Sequence, residues 1–70
     1  MTSGHVTRLI GERIENRERL EKLRVFIRTS EEFTKLPDNH KELLRTQLRL
    51  MSGLELVFVE RLKLFGIHDE

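Results

Sequence analysis

Apolar residues between Asp38 and Phe65 fall on two adjacent faces of a helix turning about 100° per residue. One face carries Leu44, Leu48, Met51, Phe58, Leu62 and Phe65, and the other carries Leu43, Leu50, Leu54, Val57 and Leu64. A single neighbouring helix covers one such face, so the second requires another partner. Upstream, Val6, Leu9, Leu20, Leu23 and Ile27 recur at three-to-four spacing and predict an amphipathic helix over residues 3–28, with Ser3 as its N-cap. Glu15 precedes Arg19, and Glu18 precedes Lys22, by the four residues that favour ion pairing along a helix. Thr29-Ser30-Glu31-Glu32-Phe33 reads as a cap followed by one helical turn, giving a turn over 30–36. Leu36-Pro37-Asp38-Asn39 then breaks the chain and restarts it as a helix over 38–65, ending before Gly66. The connection is short, so the long helices are expected to run antiparallel. The predicted fold class is all-α: one domain over residues 1–70, a helical hairpin with a short helical turn in the connection. The hairpin is expected to assemble into a homo-oligomeric bundle, with a tetramer as the leading choice.

Folding the chain back on itself sets Leu20 against Leu48, Val6 against Leu62 and Arg13 against Glu55, to within about one helical turn. Arg13 and Glu55 interrupt otherwise apolar stripes. Paired, they form a buried or half-buried ion pair that fixes register more than it adds stability; a ligand role for Arg13 is the alternative. Asn16 sits on the apolar stripe of its helix, as do the buried asparagines that set register in coiled coils. Gly11 and Ser52-Gly53 stand near one another in this register, inside helices where glycine costs about 1 kcal/mol relative to alanine. A close backbone approach, room for a ligand, or simple tolerance would each account for them.

Composition narrows the function more than the fold. Of the 70 residues, 36% are charged, but 13 basic and 12 acidic side chains nearly cancel, so no global field draws the chain to nucleic acid. Any anion binding must be local. Nine of the 13 basic residues are arginine, the side chain suited to bidentate recognition of phosphate, although arginine is also a good helix former. There is no cysteine, which excludes disulfides and thiolate metal sites. No apolar run approaches the roughly 20 residues of a membrane span, so a soluble, cytoplasmic protein without membrane partners is expected.

Arg8, Glu12, Arg19 and Phe26 share one flank of the first helix, and Gln47, Leu50, Leu54 and Arg61 share the matching flank of the second. In an antiparallel pair these flanks form one surface, with Arg8 approaching Arg61, Arg19 approaching Gln47 and Phe26 approaching Leu43. Two facing arginines repel unless an anion or enough carboxylate lies between them, and Glu12 and Glu60 are the available carboxylates. A phosphate between Arg8 and Arg61 is one reading; pairing of Arg8 with Glu12, and of Arg61 with a neighbouring subunit's carboxylate, is the other. Arg17 and Arg24, on the opposite flank, are expected to lay their stems over the core with their heads in water. Catalysis finds no support: His5, His40 and His68 are scattered, no serine or threonine has a plausible base beside it, and no phosphate-binding glycine loop is present. No metal and no cofactor is expected.

The segments Leu20-Glu21-Lys22-Leu23-Arg24-Val25-Phe26-Ile27, Phe33-Thr34-Lys35-Leu36-Pro37, Leu43-Leu44-Arg45-Thr46-Gln47-Leu48-Arg49-Leu50-Met51 and Glu60-Arg61-Leu62 together resemble a family of short phage-encoded helical proteins related to the anti-CBASS sponges. The resemblance runs from about residue 8 to residue 66 and rests on the order and separation of the segments. It implies a non-enzymatic protein that assembles as a tetramer and traps cyclic oligonucleotide messengers of bacterial defence without cleaving them. Arg8, Gln47, Met51 and Arg61 match the family pattern; Leu54 stands where a tyrosine is frequent, and Asn16 where an apolar residue is usual. The ligand-binding residues expected on these grounds are Arg8, Arg19, Gln47, Arg61, Phe26 and Leu54, with a cyclic di- or trinucleotide as ligand in the cytoplasm of an infected host. The rival expectation is a helical oligomer serving as an adaptor or structural protein; a nucleic acid is not an expected partner.

Overall fold

The computed structural model describes residues 4–67, as three helices: α1 (Gly4–Thr29), α2 (Glu31–Thr34) and α3 (Asp38–Leu64). All regular structure among the described residues is helical. Contacts between the long helices descend α3 as they ascend α1, so the two run antiparallel: Arg13 reaches Glu55 and Asn16 reaches Met51. The particle is a narrow rod, 49 × 21 × 15 Å.

Each break in the helices has a local cause. Ser30 adopts an extended conformation (φ −83°, ψ 129°) and its hydroxyl accepts from the Glu32 N–H at 3.2 Å, closing α1 and starting α2. Pro37, at φ −59° and ψ 152°, then stands at the N-cap of α3 and accepts from the Lys41 N–H at 3.0 Å. At the far end the chain makes a Schellman turn. Gly66 takes φ +80°, its N–H donates to the Lys63 carbonyl at 2.9 Å, and the Ile67 N–H donates to the Leu62 carbonyl at 3.0 Å. The positive φ is where glycine's freedom is required. The Ser3 cap expected from the sequence lies outside the described residues.

The Schellman turn corrects one expectation. Phe65 belongs on the core-facing stripe by periodicity, yet α3 stops at Leu64 and Phe65 is 55% exposed. Its core position is taken by Ile67, which the turn brings back against Val6, Leu9, Phe58 and Leu62. Those four form the core cluster at the open end of the hairpin, flanked by Ile10. Leu20 is buried midway. Near the connection, Phe33 is buried, with Phe26 edge-on at 6.0 Å and the Lys41 and Arg45 cations over its ring. The core is thin because two helices shield little from water.

The second apolar face of α3 is uncovered. Leu43, Leu50, Leu54, Val57 and Leu64 are 43–87% exposed. Gly11 and Gly53 bring no backbones together: a Cβ added at either meets nothing within 4 Å. Both face open space, so a close approach within the hairpin is excluded as the reason for these glycines.

Polar contacts cross the seam at its middle. Arg13 Nε donates to Glu55 Oε1 at 2.9 Å, with side-chain exposures of 13% and 21%. One turn along, the buried Asn16 donates from Nδ2 to the Met51 carbonyl at 3.0 Å. Removing one partner of a desolvated pair leaves the other charge stranded, whereas replacing both with apolar groups is close to neutral. Arg13→Met is therefore expected to destabilise the folded state by about 2–4 kcal/mol, and the Arg13→Met/Glu55→Met double variant to recover most of that loss. Denaturant melts of the full double-mutant cycle measure it; equal losses in the single and double variants would contradict a stranded-charge origin.

Candidate ligand-binding site

Antiparallel packing puts the beginning of α1 beside the last turns of α3, and the side chains there enclose a cleft of about 390 Å³. Its walls are His5, Arg8, Leu9 and Glu12 from α1, with Arg61 and Phe65 from the end of α3. Arg8 leans along its own helix: Nε donates to the Gly4 carbonyl at 3.2 Å and Nη2 lies 3.4 Å from His5 Nδ1. Arg61 lies in the last turn of α3, where a cation is also favoured by the helix dipole. Among the described residues neither arginine forms an ion pair.

The carboxylates that the sequence offers for neutralisation behave differently from one another. Glu60 is taken by Lys63, whose Nζ lies 3.3 Å from Glu60 Oε1. Glu12 lines the cleft but makes no ion pair among the described residues. The cleft therefore holds two guanidinium groups and one carboxylate, with Leu9 and an exposed phenyl ring as apolar wall. A phosphate-bearing ligand would supply the missing negative charge through charge-assisted hydrogen bonds, and a planar base has a ring to lie against.

The remaining expected residues lie elsewhere. Arg19 and Leu54 meet in a second, shallower depression of about 180 Å³, bordered by Glu12, Glu15, Asn16 and Phe58. Glu12 is common to both hollows, so they adjoin along one side of the hairpin. Arg19 is partly occupied there, 4.0 Å from Glu15 Oε2. Phe26 is half-buried near the connection and packs edge-on against Phe33 at 80°. Gln47 is exposed on α3. At 1.5 Å per residue, Phe26 lies about 27 Å along α1 from Arg8, and Gln47 about 21 Å along α3 from Arg61. Within one chain the expected residues therefore do not converge on a single pocket.

The opposite flank carries a larger cleft, about 490 Å³, with Arg13, Arg17 and Arg24 on its walls. It is the weaker anion site despite its size, because these cations already face carboxylates. Arg13 and Arg17 share Glu55 Oε1, at 2.9 and 3.8 Å, and Arg24 pairs with Glu21. Glu55 Oε2 is buried there without a hydrogen-bond partner.

Sequence reasoning set Phe65 on the core-facing stripe and gave His5 no binding role, so neither stood among the expected ligand-binding residues, although both line this cleft. The signal for Phe65 was Gly66: a left-handed C-terminal turn returns the residue after the glycine to the core and leaves the one before it outside. For His5 the signal was its spacing of three from Arg8, one helical turn on the same face.

Comparison with known families adds one finding: a family model described as Sequestin matches residues 3–64. No curated protein and no solved structure matches the chain. An anion in the Arg8–Arg61 cleft is expected to stabilise the fold, since a ligand that binds only the native state shifts unfolding by mass action. Saturating pyrophosphate should raise the melting temperature by a few degrees, roughly 4–8 °C per kcal/mol for a domain of this size. Arg8→Ala and Arg61→Ala should each lose most of that rise, and Arg24→Ala should keep it. An equal response in all three variants places the stabilising anion outside this cleft.

Proposed function

We infer that this chain, which belongs to the Sequestin family, sequesters a small anionic ligand rather than transforming one. The family's description suggests a sequestering role, and the observation that carries the reading to a site is the unpaired Arg8–Arg61 couple in one cleft. The ligand we propose is a cyclic di- or trinucleotide second messenger of CBASS-type bacterial defence. This finer identification is supported by the resemblance of the helical segments to the phage-encoded sponges. Arg8 and Arg61 would hold phosphates, Phe65 would lie against a base, and Arg19 with Leu54 would extend the surface from the adjoining hollow. The protein would act stoichiometrically, as a homo-oligomer with a tetramer as the leading choice, in the cytoplasm of an infected host.

Retention without cleavage is consistent with the lining of the cleft. Its walls offer guanidinium groups to a phosphate and a phenyl ring to a base, contacts that hold a nucleotide. No helix among the described residues is long and apolar enough to cross a membrane. A second reading, an adaptor or structural oligomer, is favoured by the uncovered face of α3 alone.

Thermal melts with a panel of cyclic di- and trinucleotides separate these readings. At a ligand concentration 100 times Kd the stabilisation is about 2.7 kcal/mol, an easily measured shift. The shift should rise with concentration for at least one messenger, disappear in Arg61→Ala, and leave the nucleotide chemically intact on recovery. Absence of any shift, in protein refolded free of co-purified ligand, rejects the sponge reading and leaves the adaptor.

A further inference from the structure

Positions 43, 47, 50, 54, 57, 61 and 64 of α3 are all exposed, and they step alternately by four and three residues. That is a heptad seam, the 3.5-residue repeat by which two helices wind around one another. The face of α3 that packs on α1 has the same spacing, displaced by one residue, through Leu44, Leu48, Met51, Glu55, Phe58 and Leu62. Thus α3 carries two seams, one filled by α1 and one empty.

We propose that the empty seam is filled by α3 of a second copy running antiparallel, and that this pairing brings Gln47 of the partner subunit to Arg61 at the edge of the anion cleft. The seam reads almost the same in both directions from Leu54. Leu50 and Val57 stand either side of it, then Gln47 and Arg61, then Leu43 and Leu64. A two-fold axis near Leu54 sets apolar against apolar and polar against polar, as an isologous interface requires. Parallel pairing would instead set Arg61 on its own copy, two guanidinium groups with no carboxylate in the seam. Antiparallel pairing gives each Arg61 a neutral amide oxygen as acceptor.

The area is adequate for a second copy. Five apolar side chains exposed by 43–87%, with Gln47, Arg61 and their neighbours on both copies, approach the roughly 1,000 Å² that a specific interface needs. The overlap would run along about 33 Å of each helix. The pairing also unites two residues that one chain keeps about 21 Å apart. This last element rests on the anion-binding reading of the cleft; the seam itself does not.

The chain contains no cysteine, so single-cysteine variants report on the seam without interference. Under mild oxidation Leu54→Cys is expected to give a covalent dimer, because its copies meet near the axis within disulfide reach. Leu43→Cys is expected to give little, because its copies would lie about 33 Å apart. Equal cross-linking at both positions means parallel pairing and overturns the proposal, as does wild-type protein that is monomeric by light scattering, which would assign the face to a different partner. Leu50→Glu/Val57→Glu should break the α3 pairing and lower the oligomeric state, to a helical monomer from a dimer or to a dimer from a tetramer; an unchanged oligomeric state overturns the proposal, and if that variant does not fold the cysteine pair decides. With assembly established, Gln47→Ala should leave the dimer intact and weaken pyrophosphate binding roughly tenfold, the loss of one hydrogen bond to a charged group. Unchanged affinity removes Gln47 from the site. If wild-type protein binds no anion, the functional reading fails while the cross-linking result stands.

Discussion

Register between the two long helices is the constraint on which the rest of this molecule depends, and the Arg13–Glu55 pair holds it. Apolar stripes that repeat every three to four residues are nearly self-similar after a shift of one turn, so they tolerate slippage. A charged pair does not. Sliding α3 by one turn in one direction would set Arg13 against Met51 and Glu55 against Leu9; in the other it would hand Glu55 to Arg17, already 3.8 Å away, but set Arg13 against Val59. Either shift carries the desolvation cost of a displaced charge. The Asn16 bond to the Met51 carbonyl, one turn away, fixes the same alignment. These contacts add little to the hydrophobic free energy of a thin core; what they supply is a single solution.

Once that alignment is set, the charges along the hairpin sort themselves. On the flank that carries Arg17 and Arg24, guanidinium groups meet carboxylates of their own chain. At the open end the same register lands Arg8 beside Arg61, and the nearest candidates for neutralisation are diverted or insufficient. Lys63 holds Glu60, and Glu12 alone faces two cations. A chain of almost zero net charge thus concentrates a local positive imbalance at one spot. The core cluster directly beneath, Val6, Leu9, Phe58 and Leu62, keeps that spot firm.

Much of this was legible in the sequence, and the rest was not for identifiable reasons. The two apolar faces of α3 could be read directly, since periodicity reports which residues share a side, and the five residues of the second face are exposed. The facing of Arg13 and Glu55, and of Arg8 and Arg61, followed from turning the chain back at a short connection. Phe26 was grouped with Arg8 by angle alone, which reports neither its height along α1 nor the ring of Phe33, arriving from α2, that packs against it. Gln47 was grouped with Arg61 because a helical projection discards height along the axis, and the two lie three turns or more apart in one chain. Phe65 was assigned to the core-facing stripe because its placement depends on a left-handed glycine one residue later, a feature that periodicity does not encode.

The Schellman turn at Gly66 has a consequence of its own. It divides between two residues what a plain helix end would ask of one: Ile67 closes the bottom of the core, and Phe65 stands at the mouth of the cleft. The plug and the wall of the mouth are thereby uncoupled. Side chains at position 65 can change in size or ring type without repacking the core beneath them, so the shape and chemistry of the cleft can drift while the fold stays fixed.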